Sequence, residues 1–254
     1  MLLAIDVGNS NVVFAALRGT RVESRYRTET LRAGTEEDYR AELAAFFTAG
    51  GISAADFDGA ILSSVVPETD EAIMAAVRAV TGLSCLQVSA DMELGMPVRI
   101  DRPETLGSDI ICGCVAAKQM VGAPVAVVDM GTATTIMVVD REGACRGGAI
   151  MPGVKLSLAA LTAGTSLLPD MTITAPGKII ATETVESLLS GAVYGAAAMV
   201  DGMVERMEEE LGDPLQVVIT GGLGAVTAPY CKRPVRYEPD LLFFGMAALY
   251  KRNA

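Results

Sequence analysis

Two short polar turns carry residue types that bind phosphate. The first is Asp6-Val-Gly-Asn-Ser-Asn11, and the second, 123 residues further along the chain, is Asp129-Met-Gly-Thr-Ala-Thr134. In each turn a glycine allows close backbone approach to a ligand, and successive backbone N–H groups can cradle phosphate oxygens. Side chains add further donors at Asn9, Ser10, Asn11, Thr132, Thr134 and Thr135. The two turns therefore predict a pair of phosphate-binding loops.

The aspartate that opens each turn adds a second requirement. A carboxylate repels phosphate, so Asp6 and Asp129 each imply a cation nearby. One such turn by itself is more typical of a β-hairpin that uses Gly and Asn. Two such turns, followed by the glycines of Gly221-Gly-Leu-Gly224, which give a nucleoside access to the backbone, favour a nucleotide site.

The composition restricts the remaining chemistry. The chain of 254 residues has no histidine, which excludes Ser-His-Asp triads, Cys-His pairs and histidine metal sites. Acid–base work must therefore use carboxylate, Lys, Tyr or Cys side chains. The formal net charge of −11 argues against nucleic-acid binding, which needs a basic surface. The five cysteines fit neither a zinc ribbon nor a redox CxxC, and we expect buried or inert thiols in a reducing compartment.

No targeting or membrane-spanning segment is predicted. The first residues, Met1-Leu-Leu-Ala-Ile-Asp6, have no basic side chain and soon reach an acid, unlike a signal peptide. No uninterrupted apolar run approaches the roughly 18 residues that span a bilayer. We therefore expect a cytoplasmic protein that binds neither nucleic acid nor membrane.

The elements that position the turns alternate between strand and helix. Apolar runs predict strands over 2–5, 12–17, 22–28, 59–64, 85–88, 125–129, 135–139, 145–150 and 215–220. Helical periodicity predicts helices over 36–49, from Pro67 onward, and over 184–211. The alternation indicates a largely parallel sheet covered by helices.

The matching order of residues in the two halves indicates an internal duplication. Each half has a strand, an Asp, an apolar residue, a Gly, small polar residues and another strand. This arrangement resembles the ATPase superfamily of hexokinase, actin and the heat-shock chaperones. We predict an α/β fold of two similar ribonuclease-H-like lobes, each a β-meander plus helices, with a nucleotide cleft between them. The lobes are predicted to span residues 1–115 and 116–254.

Eight motifs are spread collinearly over the chain. They are Asp6-Val-Gly-Asn-Ser-Asn11, Ser63-Ser-Val-Val-Pro67, Pro103-Glu-Thr-Leu-Gly-Ser-Asp109, Val127-Val-Asp-Met-Gly-Thr-Ala-Thr-Thr135, Gly147-Gly-Ala-Ile-Met-Pro-Gly153, Thr184-Val-Glu-Ser-Leu-Leu-Ser-Gly191, Thr220-Gly-Gly-Leu223 and Tyr250-Lys-Arg-Asn253. Together they resemble the type III pantothenate kinase family. The resemblance implies transfer of the γ-phosphoryl group of ATP to the primary hydroxyl of pantothenate, the first step of coenzyme A synthesis.

The resemblance also implies roles for individual residues. Asp109 is implied as the catalytic proton acceptor, although an Asp before an apolar run also fits a helix N-cap. The implied ATP-binding residues are Asp6, Val7, Gly8, Asn9, Ser10, Asn11, Val12, Val13 and Thr132. The implied acceptor-binding residues are Gly107, Ser108, Asp109, Ile110 and Thr184. Asp129 is implied as the ligand of a monovalent cation, potassium or ammonium, in addition to magnesium, and the 184–211 helix is implied to form a homodimer with acceptor sites near the interface.

The acceptor side departs from the family pattern. Ile110 stands where the family has Arg, Ile100 where it has Tyr, and Glu183 where it has Asn. Loss of a charged hydrogen bond to the pantothenate carboxylate costs about 1.5–3 kcal/mol. Three hypotheses stay open: a pantothenate kinase with a rearranged acceptor pocket, a kinase of another small hydroxyl compound, and a non-catalytic nucleotide-binding regulator.

Overall fold

The computed structural model describes residues 1–169 and 171–254, and in them the chain forms ten strands and seven α-helices. The strands are β1 (Leu2–Val7), β2 (Asn11–Arg18), β3 (Arg21–Glu29), β4 (Gly59–Ser64), β5 (Cys85–Gln87), β6 (Val125–Met130), β7 (Ala133–Val139), β8 (Cys145–Pro152), β9 (Gln216–Thr220) and β10 (Arg236–Tyr237). The helices are α1 (Glu36–Gly50), α2 (Pro67–Thr81), α3 (Ser108–Val121), α4 (Val154–Ala163), α5 (Thr184–Leu211), α6 (Gly224–Thr227) and α7 (Leu241–Asn253). Each strand and helix predicted from the apolar patterns is present.

The chain divides into two compact units that repeat one sheet topology. Unit 1 comprises residues 1–116 and 240–254, and unit 2 comprises residues 117–239. The sheet of unit 1 has the order β3-β2-β1-β4-β5, and the sheet of unit 2 has the equivalent order β8-β7-β6-β9-β10. In both sheets the three meander strands pair antiparallel and the last two strands add in parallel. The predicted duplication is confirmed, but the sheets are mixed rather than largely parallel because each meander contributes two antiparallel pairs.

The core of unit 1 joins its sheet to helices α1 and α2. Phe14, Tyr39 and Phe46 are fully buried, and the Phe14 and Phe46 rings lie 6.1 Å apart between centroids. Burial of each such large side chain stabilises the fold by about 1.5–3 kcal/mol. The ends of α1 are set locally by a capping box at Thr35 and by Gly51, whose φ of 60° suits glycine. The apolar spacing that predicted α1 is therefore the spacing of its buried face.

Helix α5 forms much of the core of unit 2. Ala196, Val200 and Val204 on α5 belong to one buried cluster with Val128 and Ile136 of the sheet. Among the described helices, α5 is the one long and apolar enough by composition to cross a membrane. Its buried face accounts for much of that apolar character, as expected of a core helix.

Helix α7 belongs to unit 1, whereas the sequence predicted residues 116–254 as one lobe. A Cβ at Gly245 would overlap the carbonyl oxygen of Cys112, so α7 and α3 approach closely there. Near its end, the Asn253 side chain accepts from the Glu93 N–H at 3.0 Å and donates to the Glu93 carbonyl at 3.1 Å. Because these contacts join residues far apart in the chain, no local pattern reveals them.

Candidate active site

The first polar turn is the hairpin loop between β1 and β2. The Gly8 N–H donates to the Asn11 carbonyl at 2.9 Å and closes the loop. Asn9 and Ser10 at its tip are exposed. The tip therefore offers backbone and side-chain donors to a ligand in solvent.

The flanks of this loop offer mainly backbone groups. Asp6 pairs with Val13 and Val7 pairs with Val12 across the hairpin. Val7 and Val12 are buried in the core of unit 1, while Asp6 and Val13 are half-buried. The two buried valines can thus contribute to a ligand site only through the main chain.

The second polar turn has the same form between β6 and β7. Asp129 pairs with Thr135, and the Gly131 N–H donates to the Ala133 carbonyl at 3.0 Å. Thr132 at the tip is exposed. Thr134, expected as a donor, is instead fully buried, and its hydroxyl has no hydrogen-bond partner within the described part of the chain. Strand alternation turns its side chain toward the core rather than toward the loop surface.

Two glycines from elsewhere in unit 2 pack against the second loop. The Gly153 N–H donates to the Thr132 carbonyl at 3.1 Å, and a Cβ at Gly153 would overlap that carbonyl oxygen. A Cβ at Gly221 would lie 2.6 Å from Asp129 Oδ1, and the φ of Gly221 is 87°. The Asp129 carboxylate therefore sits against backbone that only glycine leaves open.

Asp109 lies in the first turn of α3 and is half-buried. The helix begins at Ser108, so Asp109 is inside it rather than at the predicted N-cap position. Its Oδ1 accepts the Ile110 N–H at 2.7 Å. Burial raises the pKa of the Asp109 carboxyl above its ordinary value, and hydrogen bonds from the Ile110 and Asp109 N–H groups oppose that rise only in part. The site therefore holds a carboxylate that accepts a proton more readily than a solvated Asp.

Serine hydroxyls fix the start of α3 to the sheet of unit 1. Ser63 Oγ donates to Ser108 Oγ at 3.0 Å, and Ser108 Oγ donates to the Ser64 carbonyl at 2.9 Å. Ser63 lies beside Asp6 in the parallel pairing of β4 with β1. Ser108 thus positions the turn that carries Asp109 next to the strand that carries Asp6.

The thiol of Cys112, one turn along α3, senses both acids. Burial is the main cause that raises the pKa of Cys112, and the charges of Asp6 and Asp109 raise it further. The structure therefore brings together, within unit 1, the first loop and the predicted proton acceptor. All five cysteines are free, and burial raises the pKa of Cys85 to about 12 and of Cys231 to about 11.

Thr184 is the first residue of α5 and lines a cavity of about 500 Å³ in unit 2. The cavity is walled by Leu168, Ala181, Thr182, Glu183, Thr184, Ser187 and Leu188. Glu183 caps the helix by accepting the Glu186 N–H at 2.6 Å. Lys178 Nζ donates to Thr182 Oγ1 at 3.1 Å, which places a cation next to a residue of the cavity wall.

The structure also shows contacts to the first loop that sequence reasoning missed. Thr30 Oγ1 donates to the Gly8 carbonyl at 2.7 Å, and Arg32 Nη2 donates to Asn9 Oδ1 at 2.8 Å. Pairing of β3 with β2 brings residues 30–32 to the loop, and no local sequence signal indicates it. Within residues 1–169 and 171–254 no group of three or more His, Cys, Asp or Glu side chains is placed to hold a metal ion.

Two units that repeat one topology, each with an Asp-tipped glycine hairpin, define the two-lobed kinase class related to hexokinase and actin. The polyphosphate/ATP-glucomannokinase of Arthrobacter sp. strain KM has a similar fold, with a TM-score of 0.50 and 13% identity over 99% of both chains. At that identity the likeness shows the fold alone.

The family follows from the sequence relatives. The family model described as type III pantothenate kinase matches residues 2–206. A type III pantothenate kinase of Rubrobacter xylanophilus is 38% identical over 100% of this chain and 98% of its own length. That of Pelobacter propionicus is 38% identical over the full length of both. The chain therefore belongs to the type III pantothenate kinase family, and it is a phosphotransferase.

Proposed function

We propose that this protein transfers the γ-phosphoryl group of ATP to the primary hydroxyl of pantothenate, which begins coenzyme A synthesis. Family membership supports the reaction, and the observation that carries it is the partly buried Asp109 carboxylate beside the Asp6 loop. Phosphoryl transfer needs positioning and charge neutralisation more than covalent chemistry by the protein. One well-placed carboxylate and a set of phosphate donors therefore suffice.

Asp109 is proposed as the group that accepts the proton of the acceptor hydroxyl. As the hydroxyl oxygen bonds to the γ-phosphorus, its proton passes to Asp109 and the bond to the β–γ bridging oxygen breaks, releasing ADP. A base works best when its pKa lies near the working pH. Burial moves the Asp109 pKa in that direction.

The ATP phosphates are assigned to Asp6–Val13 and to Thr132. The exposed Gly8–Ser10 tip supports this assignment with backbone N–H groups, and Asn9 and Ser10 add side-chain donors. Val7 and Val12 contribute through backbone alone because their side chains are buried. Thr132 supports it from the tip of the equivalent loop.

Asp129 is proposed to hold the monovalent cation, potassium or ammonium. Its half-buried carboxylate lies against the Gly221 backbone, where a Cβ would fill the space, and this fits an oxygen-ligand site. Magnesium is proposed to bind with ATP. Such cations neutralise phosphate charge on a chain that is itself strongly acidic.

The acceptor is assigned to Gly107–Ile110 and to Thr184. Gly107 packs so closely on the Asp109 carboxylate that a Cβ there would overlap it. Thr184 supports the assignment by lining the cavity at the start of α5. A second candidate is a kinase of another small hydroxyl compound, which is favoured by Glu183, an acid in the cavity wall, and by the apolar Ile110.

We further propose a cytoplasmic homodimer. Seven of the large apolar side chains that are exposed lie in one stretch of unit 2, namely Ile150, Leu156, Leu161, Leu167, Ile179, Ile180 and Val185. Apolar surface of this extent in a soluble protein marks an interaction site. The stretch leads directly into α5, the helix that the family resemblance assigns to the dimer.

The decisive test is ADP release by the purified protein with ATP, magnesium and potassium, with and without pantothenate. We expect turnover that depends on pantothenate. Asp109→Asn should lower kcat by about 10²- to 10⁴-fold, the usual contribution of a positioned base. Asp101→Asn, an exposed acid just before the same helix, is the matched control and should retain activity.

The alternatives give different results in the same assay. Activity on other hydroxylated metabolites but not on pantothenate would select the second candidate function. Thermal stabilisation by ATP without turnover on any acceptor would select a non-catalytic regulator. Unchanged kcat in Asp109→Asn would remove Asp109 from the mechanism.

A further inference from the structure

The segment that follows β3 is held firmly against the first phosphate loop. Thr30 Oγ1 donates to the Gly8 carbonyl at 2.7 Å, and the Thr30 N–H donates to the Ser10 carbonyl at 3.2 Å. The Gly34 N–H and the Tyr39 hydroxyl both donate to the Leu31 carbonyl, at 2.8 and 2.9 Å. The backbone on both sides of Arg32 is therefore fixed, and the start of its side chain is aimed by the fold.

The Arg32 guanidinium joins the loop to helix α2. Nη2 donates to Asn9 Oδ1 at 2.8 Å, and Nη1 forms an ion pair with Glu68 Oε1 at 2.6 Å. A hydrogen bond from the Glu68 N–H, and then Arg32, hold the pKa of Glu68 below its ordinary value. Glu68 thus stays ionised at neutral pH and keeps the guanidinium at the loop.

This contact decides which end of the Asn9 amide faces the ligand. An Asn side chain has a carbonyl oxygen that accepts and an NH₂ group that donates. Because Arg32 engages Oδ1, the NH₂ group of Asn9 is turned away from the guanidinium and is available to a phosphate oxygen. With the amide reversed, Oδ1 would face the phosphates and repel them.

The charge of Arg32 matters as well. The loop Asp6–Val13 contains an acid and no Lys or Arg, although it is assigned to a highly anionic ligand. Arg32 brings a cation to that loop from outside it, and its side chain is 54% exposed, so a ligand can approach the guanidinium. A guanidinium combines charge with a fixed fork of donors, which suits both the amide and phosphate oxygens.

We propose that Arg32 is a positioning residue for ATP: it orients the Asn9 amide and adds positive charge at the phosphate loop, with Glu68 as its anchor. The proposal rests on the function proposed above, because it assumes that the loop binds ATP phosphates. It assigns Arg32 no contact with the acceptor. Loss of Arg32 should therefore change the ATP side of the kinetics and leave the pantothenate side unchanged.

The test measures ATP binding directly by calorimetry, without pantothenate, and the two KM values in the coupled assay. Arg32→Gln should weaken ATP binding and raise the ATP KM by about tenfold, because a charge-assisted hydrogen bond is lost. The pantothenate KM should stay within about twofold, since uniform loss of binding falls on the ligand contacted. Arg32→Lys, which keeps the charge without the fork, should lie between Arg32→Gln and the wild type.

A double-mutant cycle with Asn9→Ala separates positioning from a general loss of charge. If Arg32 acts through Asn9, Arg32→Gln should weaken ATP binding much less in the Asn9→Ala background than in the wild type. Arg40→Gln is the matched control, because Arg40 forms exposed ion pairs with Glu36 and Glu37 on α1, away from the loop.

Three results would overturn the proposal. They are an Arg32→Gln effect on ATP no larger than that of Arg40→Gln, an equal rise in both KM values, and full additivity with Asn9→Ala. Failure of the proposed function itself looks different, because the wild-type protein would then bind ATP without phosphorylating pantothenate, or would not bind ATP at all.

Discussion

Asp109 shows how a single side chain is adapted by its surroundings. Its carboxylate is held between a desolvating environment and two backbone N–H groups at the start of α3. Desolvation prevails, so the pKa rises even though the helix N-terminus favours negative charge. The result is an acid that costs stability when ionised and in return accepts a proton more readily, a compromise typical of catalytic groups.

The raised pKa predicts how activity depends on pH. Asp109 must be ionised to accept the hydroxyl proton, so kcat/KM should fall as the pH drops through its pKa. The acid limb of the profile should lie above the roughly 3.9 of an unperturbed Asp. A profile that stays flat down to that pH would contradict the role of Asp109 as base.

The same shift makes a prediction about stability with the opposite sense. Folding favours the protonated carboxyl, so the stability that Asp109 contributes is full below its unfolded pKa and is lost as the pH rises through the folded pKa. Asp109→Asn should therefore have a higher Tm than the wild type at pH 8, and the difference should vanish below about pH 4. Asp101→Asn should show no such trend. Equal Tm values at pH 8 would indicate that Asp109 is not desolvated.

At the scale of elements, glycines set the closest approaches. Gly245 of α7 meets the backbone of α3 at Cys112, and Gly153 before α4 meets the Thr132 carbonyl of the second loop. In both places a single methyl group would collide with backbone, which cannot rotate aside as a side chain can. Packing of this kind transmits a small change in one element to the functional residue on the next.

Gly245→Ala tests this coupling. The added Cβ would overlap the Cys112 backbone and push apart the helix that carries Asp109. We expect a loss of about 1–3 kcal/mol in the free energy of unfolding, as for other overpacked cores. Urea denaturation measures it.

Gly191→Ala is the control, because a Cβ there meets nothing within 4 Å. On the helix α5 it should stabilise by about 0.5–1 kcal/mol. Similar unfolding free energies for the two variants would show that α7 and α3 can separate without cost.

At the scale of the whole molecule, the apolar stretch from Ile150 to Val185 predicts self-association. Light scattering after size exclusion should give about twice the 26.4 kDa chain mass. Ile180→Asp, at a residue 80% exposed, should shift the protein toward monomer by placing a charge in the interface. Leu31→Asp, at an exposed apolar residue of unit 1, should leave the mass unchanged. A wild-type mass of one chain would contradict the dimer.

Much of this protein was predictable from short stretches of sequence. The strands on either side of each Asp-Gly turn, the helix α5 with its bounds 184–211, and the repetition of one pattern after 123 residues all depend on neighbours within a few positions. Backbone geometry relates such spacings directly to a strand or helix. The roles of Asp6, Asp129 and Thr132 at a phosphate site remain predictions from that pattern and from the family.

Only the tertiary structure decided where distant parts of the chain meet. It placed α7 on unit 1 through Gly245 and Asn253, turned the Thr134 hydroxyl into the core, and brought Arg32 to the Asn9 amide. Each outcome depends on packing between residues that lie far apart along the chain or on opposite faces of a sheet. Local sequence determines what an element is, whereas the burial and charge that adapt its side chains come from whatever the rest of the fold packs against it.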